Sequence, residues 1–122
     1  MKITARASGN CTILELDGRL ILGPDTMELR HAVREAARNN PQRIILNLAK
    51  VTYADSCGIG ELVSSYSHIK GLGGNLVLTD LPGRVRSLLD IAKLVPIFEI
   101  CDSEQAAIAD SQESVLPCRM CG

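Results

Sequence analysis

The period of apolar and polar positions changes several times along the chain, and each change marks an element. Lys2 to Ala7 and Thr12 to Leu16 read as two short strands, with Gly9-Asn10 between them as a hairpin turn. Gly18 is expected to close the second strand. From Gly23-Pro24-Asp25-Thr26 the period becomes helical: Leu29, Ala32, Val33, Ala36 and Ala37 recur at i, i+3, i+4, i+7 and i+8, one apolar stripe on an otherwise charged helix. Asp25 is expected to cap this helix, with Glu28 completing a capping box, and Asn39-Asn40-Pro41 to end it.

Arg43 to Leu48 is a nearly continuous apolar run, the pattern of a central parallel strand buried on both faces. A second helix is predicted over 56–70, with its stripe at Ile59, Leu62, Val63, Tyr66 and Ile69 and its stop in Gly71, Gly73 and Gly74. Asn75 to Thr79 is the next strand. A third helix follows Pro82, carrying Val85, Leu88, Leu89 and Ala92 on one face. Ile97 to Ile100 reads as a last short strand. Asp102, with Gln105 at the capping-box position, opens a final helix bearing Ala106, Ala107 and Ile108. The order ββαβαβαβα predicts a single α/β domain with a mixed sheet of four or five strands covered by helices. The domain is expected to span 1–110. Residues 111–122 lack periodicity and read as a mobile tail.

Composition narrows the function classes. A formal net charge of −1 steers the chain toward neither nucleic acid nor anionic lipid. The only aromatics are Tyr53, Tyr66 and Phe98, so the basic stripe with stacking rings of a nucleic-acid surface is missing. No run is long and apolar enough to insert into a membrane, and the N-terminus lacks the pattern of a signal peptide. The expected location is the cytoplasm. There the odd set Cys11, Cys57, Cys101, Cys118 and Cys121 is expected as reduced thiols.

One segment concentrates candidate chemistry: Val51-Thr52-Tyr53-Ala54-Asp55-Ser56-Cys57-Gly58-Ile59-Gly60. It joins a buried strand to a helix N-terminus, where free N–H groups and the helix dipole meet at the carboxyl end of the sheet. Asp55 or Ser56 is placed to cap that helix. Gly58 and Gly60 take side chains out of its first turn, which would let another backbone approach; the plainer reading is a cap with tight helix–sheet packing.

The run Asp55-Ser56-Cys57-Gly58-Ile59-Gly60 resembles the Asp-Ser-Ser-Gly-Leu-Gly signature of STAS domains, whose best-known members are anti-sigma factor antagonists. Asp17-Gly18-Arg19-Leu20 followed by Pro24-Asp25 is similar to the family's turn into the first helix. Ile44 to Leu48, Val51 to Asp55, Gly74 to Leu78 and Val85 to Leu89 are similar to its later strands and helix, so the resemblance spans about residues 2 to 110. It implies a regulatory protein-binding module and no enzyme. The implied partner is an anti-sigma factor that is also a serine kinase of the histidine-kinase-like ATPase type. The implied partner-binding edge is Asp25, Asp55, Ser56, Cys57, Gly58 and Gly60. No cofactor and no metal are implied, and there is room for a weak homodimer. In the family the second serine of the signature is the phosphoacceptor. Here that position is Cys57, so either the module is not phosphorylated or the phosphate moves to Ser56. A STAS subunit of another assembly, such as a lipid-transport ATPase complex or a stressosome-like particle, would need no phosphorylation cycle.

Other readings rest on less. Cys57 at a helix N-terminus suggests a redox sensor, against the plainer reading of an inert thiol. Cys118-Arg119-Met120-Cys121 is a CxxC pair, but two thiolates do not complete a zinc site. A helix N-terminus could also bind an anion such as a nucleotide phosphate. His31 and His68 sit in predicted helices with no triad around them. Gly71-Leu72-Gly73-Gly74 follows a helix and precedes a strand, the reverse of a phosphate-binding loop. Arg84, Arg86 and Lys93 read as a solvated face.

Overall fold

The computed structural model describes residues 2–8, 11–38 and 43–113. The chain runs β1 (Lys2–Ser8), β2 (Cys11–Leu20), α1 (Pro24–Arg38), β3 (Arg43–Ala54), α2 (Ser56–Gly71), β4 (Asn75–Thr79), α3 (Gly83–Ile91), β5 (Glu99–Cys101) and α4 (Glu104–Glu113). These elements form one five-stranded sheet in the order β1-β2-β3-β4-β5. β1 and β2 pair antiparallel, from Lys2 opposite Asp17 to Ser8 opposite Cys11. The Gly9-Asn10 turn itself lies outside the described residues. The β2–β3, β3–β4 and β4–β5 pairs are parallel.

Topology decides where the helices go. Each parallel pair is joined by a helical crossover, and such crossovers are right-handed. Because the strands are laid down in one direction across the sheet, α1, α2 and α3 all fall on the same face. Leu14 and Leu16 of β2, Ile44, Leu46 and Leu48 of β3, and Leu76 and Leu78 of β4 meet Leu29, Val33, Leu62, Ile69, Val85 and Leu89 there in the main core. Each such aliphatic side chain contributes about 1.5–3 kcal/mol when fully buried. The alternate positions Cys11, Ile13, Ile45 and Val77 face the other way, onto Ala107 of α4. Three strands are therefore apolar on both sides, which is why Arg43 to Leu48 lacks alternation.

The structure corrects several expected boundaries. Gly18 does not close β2. It takes φ 129°, and register shifts between Glu15 and Asp17 and between Gly18 and Arg19 carry the strand on to Leu20. β3 follows its bulged neighbour as far as Ala54, six residues past the apolar run. Asp25 does not cap α1. The helix begins at Pro24, the Met27 N–H and the Thr26 hydroxyl both donate to the Gly23 carbonyl, and Asp25 lies in the first turn, where the helix dipole still favours its charge. Asp102 is likewise displaced as a cap: Ser103 Oγ accepts from the Ala106 N–H at 3.1 Å, so α4 starts one residue later. Ala92 falls just past α3 and is exposed, and β5 begins at Glu99 because the Ile97 N–H is held by the Leu94 carbonyl in a turn, at 2.9 Å. α4 runs from Glu104 to Glu113, and 114–122, with the Cys118/Cys121 pair, lie outside the described residues.

Candidate functional site

Two helices start side by side at the carboxyl end of the sheet. β2 ends at Leu20 and α1 begins at Pro24; next to them β3 ends at Ala54 and α2 begins at Ser56. The intervening Asp55 ties both junctions together. Its N–H donates to the Leu20 carbonyl at 3.2 Å. Its Oδ1 accepts from the Gly58 N–H at 2.8 Å, which caps α2, and its Oδ2 accepts from the Leu22 N–H at 3.0 Å. The carboxylate thus pins the β2–α1 turn onto the start of α2. The Leu22 N–H foremost, and then that of Gly58, hold its carboxyl below the usual aspartate range, so it is ionised at neutral pH.

Ser56 and Cys57 stand on the exposed side of this first turn, and Cys57 is a free thiol. The two glycines of the signature differ sharply. Gly58 is buried, and a Cβ on it would lie 2.1 Å from the Leu20 carbonyl oxygen and 2.8 Å from Leu20 Cγ. Its missing side chain is filled by the chain's own β2, so it seats α2 against the sheet and leaves no room there for a partner's backbone. Gly60 is exposed, with nothing within 4 Å of a built Cβ. Of the two, only Gly60 leaves open space at its position. Asp25 is half-buried in the first turn of α1, on the same end of the sheet.

Two exposed apolar side chains at this end of the sheet, Leu22 and Met27, were not singled out from the sequence, and Tyr53 was named only as part of its segment. Leu22, Met27 and Tyr53 are 69%, 61% and 45% exposed. Leu22 is bonded to Asp55 through its N–H, Met27 sits in the first turn of α1, and Tyr53 ends β3 beside Arg19 of β2. An apolar residue in a tight turn before a helix, as in Ile21-Leu22-Gly23, was the available signal.

A second feature escaped the sequence reading. Glu61 of α2 is buried and takes a two-pronged pair from Arg30 of α1, Nη2 to Oε1 at 2.9 Å and Nε to Oε2 at 3.4 Å. The hydrogen bond to Glu61 raises the Arg30 pKa further. This pair fixes α1 against α2 and hence the relative placement of their N-termini. The sequence shows both residues on charged helix faces but not that those faces meet.

His31 is exposed on α1 and His68 half-buried on α2, apart from the α2 edge. Among the described residues no three of His, Cys, Asp and Glu gather as a metal site, and no helix is long and apolar enough to cross a membrane. The edge combines an ionised cap, an exposed Ser-Cys pair and an apolar rim on a rigid frame.

The chain is similar to known proteins over most of its length. The family model of the STAS domain matches residues 2–107. The chain is 29% identical over 98 residues to the anti-sigma F factor antagonist of Paenibacillus polymyxa, spanning 80% of this chain and 84% of that one. Among solved structures, a proposed anti-sigma factor antagonist of Thermotoga maritima superposes with a TM-score of 0.81 at 21% identity, over 88% of this chain and 92% of that one. The Bacillus cell fate determinant SpoIIAA in its phosphorylated form gives 0.69 at 18% identity, over 90% and 99%. At those identities the structural likenesses establish the fold.

Proposed function

The chain belongs to the STAS-domain family, and on that premise we propose that it is a regulatory protein-binding module of the anti-sigma-factor-antagonist type, acting by docking and not by catalysis. The observation that carries the reading is the exposed first turn of α2, Ser56 and Cys57, on a base that Asp55 locks to the turn exposing Leu22. Its partner is an anti-sigma factor with serine-kinase activity of the histidine-kinase-like ATPase type. In the docked state Ser56, Cys57 and Gly60 face the partner, the apolar rim supplies contact area, and Asp25 and Asp55 supply fixed negative charge. Gly58 contributes indirectly, by letting α2 seat.

Charge is the natural switch for such a surface. A phosphate would add about 1.5–2 negative charges beside an Asp55 that is already ionised. Cys57, at the position that carries the phosphoacceptor serine in the family, removes the hydroxyl a serine kinase needs. Docking in this protein is therefore constitutive unless phosphate reaches Ser56. The same residue favours a second reading, a STAS subunit held permanently in a larger assembly.

Affinity capture from the source organism with the full chain and with Cys57→Glu as baits separates these readings. Capture of a histidine-kinase-like ATPase by the natural chain and its loss with Cys57→Glu supports the antagonist. Capture of a membrane ATPase or another STAS protein, without such a kinase, supports the fixed subunit. Stoichiometric phosphate on Ser56 of the native protein contradicts constitutive docking.

A further inference from the structure

We propose that the cleft between β1 and α1 is a second docking surface, which takes a basic amphipathic helix of the same partner that docks on the α2 edge. This rests on the docking role of that edge. The cleft encloses about 640 Å³. It lies where α1, packed over β2, touches the edge strand β1 only in part, so that Ile3 is half-buried and Ala5 is exposed although its strand neighbour Leu14 is buried.

Ile3, Ala5 and Leu14 form its sheet side, and Met27, Ala32 and Ala36 its helix side. Along α1 the lining runs from Met27 to Ala36, about 14 Å at 1.5 Å per residue. That length accepts two to three turns of a docked helix, presenting apolar anchors at i, i+3 or i+4, and i+7.

Charge and position select the occupant. The rim carries Glu28, His31 and Glu35, and among the described residues no lysine or arginine lines the cleft. Glu35 shares its charge with Arg38 at 3.2 Å, so Glu28 is the stronger attractor. An apolar floor under a net acidic rim complements a helix with an apolar stripe flanked by lysine or arginine. The upper end of the cleft is Met27, which also belongs to the apolar rim of the α2 edge. Met27 lies five residues after Leu22, in the first turn of the helix that follows that turn, so a partner seated on Leu22 sits toward the Met27 end of the cleft.

The test uses the full chain, ¹⁵N-labelled, titrated with a Leu/Lys amphipathic helical peptide of about 14 residues, a matched Leu/Glu peptide, and sedimentation of the chain alone. The Leu/Lys peptide is expected to shift the amides of Ile3, Ala5, Met27 and His31. The double variant Glu28→Lys/Glu35→Lys weakens it about ten-fold, Ala5→Trp blocks it by filling the cleft, and Cys57→Glu leaves it unchanged. Equal binding of the Leu/Glu peptide, shifts elsewhere on the surface, or no saturable binding overturns the proposal. So does self-association that the Glu28→Lys/Glu35→Lys variant abolishes, which assigns the cleft to a second copy. None of these outcomes bears on partner affinity at the α2 edge, which Cys57→Glu reads separately.

Discussion

Asp55 and Leu22, 33 positions apart, are joined by a 3.0 Å hydrogen bond from the Leu22 N–H to Asp55 Oδ2, while Oδ1 of the same carboxylate caps α2. One side chain therefore satisfies backbone donors from two junctions and sets the position of the β2–α1 turn against the α2 edge. A shorter or neutral residue would release one junction or both.

Asp55→Ala is expected to lower unfolding stability by about 1–2 kcal/mol, the usual cost of a lost helix cap, measured by urea denaturation. The effect depends on pH in a definite direction. The folded-state pKa of Asp55 is depressed, so its stabilisation is in place above the unfolded value near ~3.9 and is lost as pH falls through the lower folded value. Asp55→Asn should flatten the stability profile in that acid window and leave its shape near neutrality unchanged.

The two signature glycines should respond oppositely to alanine. Gly58→Ala drives a methyl into the Leu20 carbonyl and costs about 1–3 kcal/mol. Gly60→Ala adds a methyl in open space on a helix and stabilises by about 0.4–1 kcal/mol. Thermal denaturation of the two variants reads both signs directly.

Breaking the Arg30–Glu61 pair from one side is expected to lower the melting temperature. Arg30→Met leaves the buried Glu61 carboxylate without its partner. Arg30→Met/Glu61→Leu should recover much of that loss, because an apolar pair of similar volume suits the α1–α2 contact. A double variant no more stable than the single one would contradict this account of the pair.

Cys57→Ser should leave stability within about 0.5 kcal/mol, since the thiol is exposed. It also restores a hydroxyl at the family's acceptor position. Incubated with the kinase proposed as its partner and ATP, the variant is expected to gain one phosphate by intact mass and the natural chain none.

The parts of this fold that repeat were legible in the sequence. The stripe Leu29, Val33, Ala36 and the run Ile44 to Leu48 repeat with the period of their element, and the structure buries them. Boundaries were legible only where a local signal had no competitor. Gly18 looked like a stop, but pairing with β3 beyond it outweighed the bulge. Asp102 looked like a cap, yet Ser103 beside it has the same chemistry and took the role. At the site, the Asp55 cap could be read because capping is local. The packing of Gly58 on Leu20 and the Arg30–Glu61 pair could not, because each joins segments whose meeting only the topology decides. Leu22 and Met27 were passed over for a related reason: an apolar residue near a turn looks the same whether it turns in or out.

The most direct test of the docking account is the affinity of the purified chain for the anti-sigma kinase proposed as its partner, measured by isothermal titration for the natural protein, Cys57→Glu and Gly60→Trp. The account predicts saturable binding by the natural chain. It also predicts a loss of at least about ten-fold, or 1.4 kcal/mol, in either variant, with both variants fully folded. Undiminished binding by both variants, or no binding by the natural chain, would contradict the assignment of the α2 edge as the docking surface.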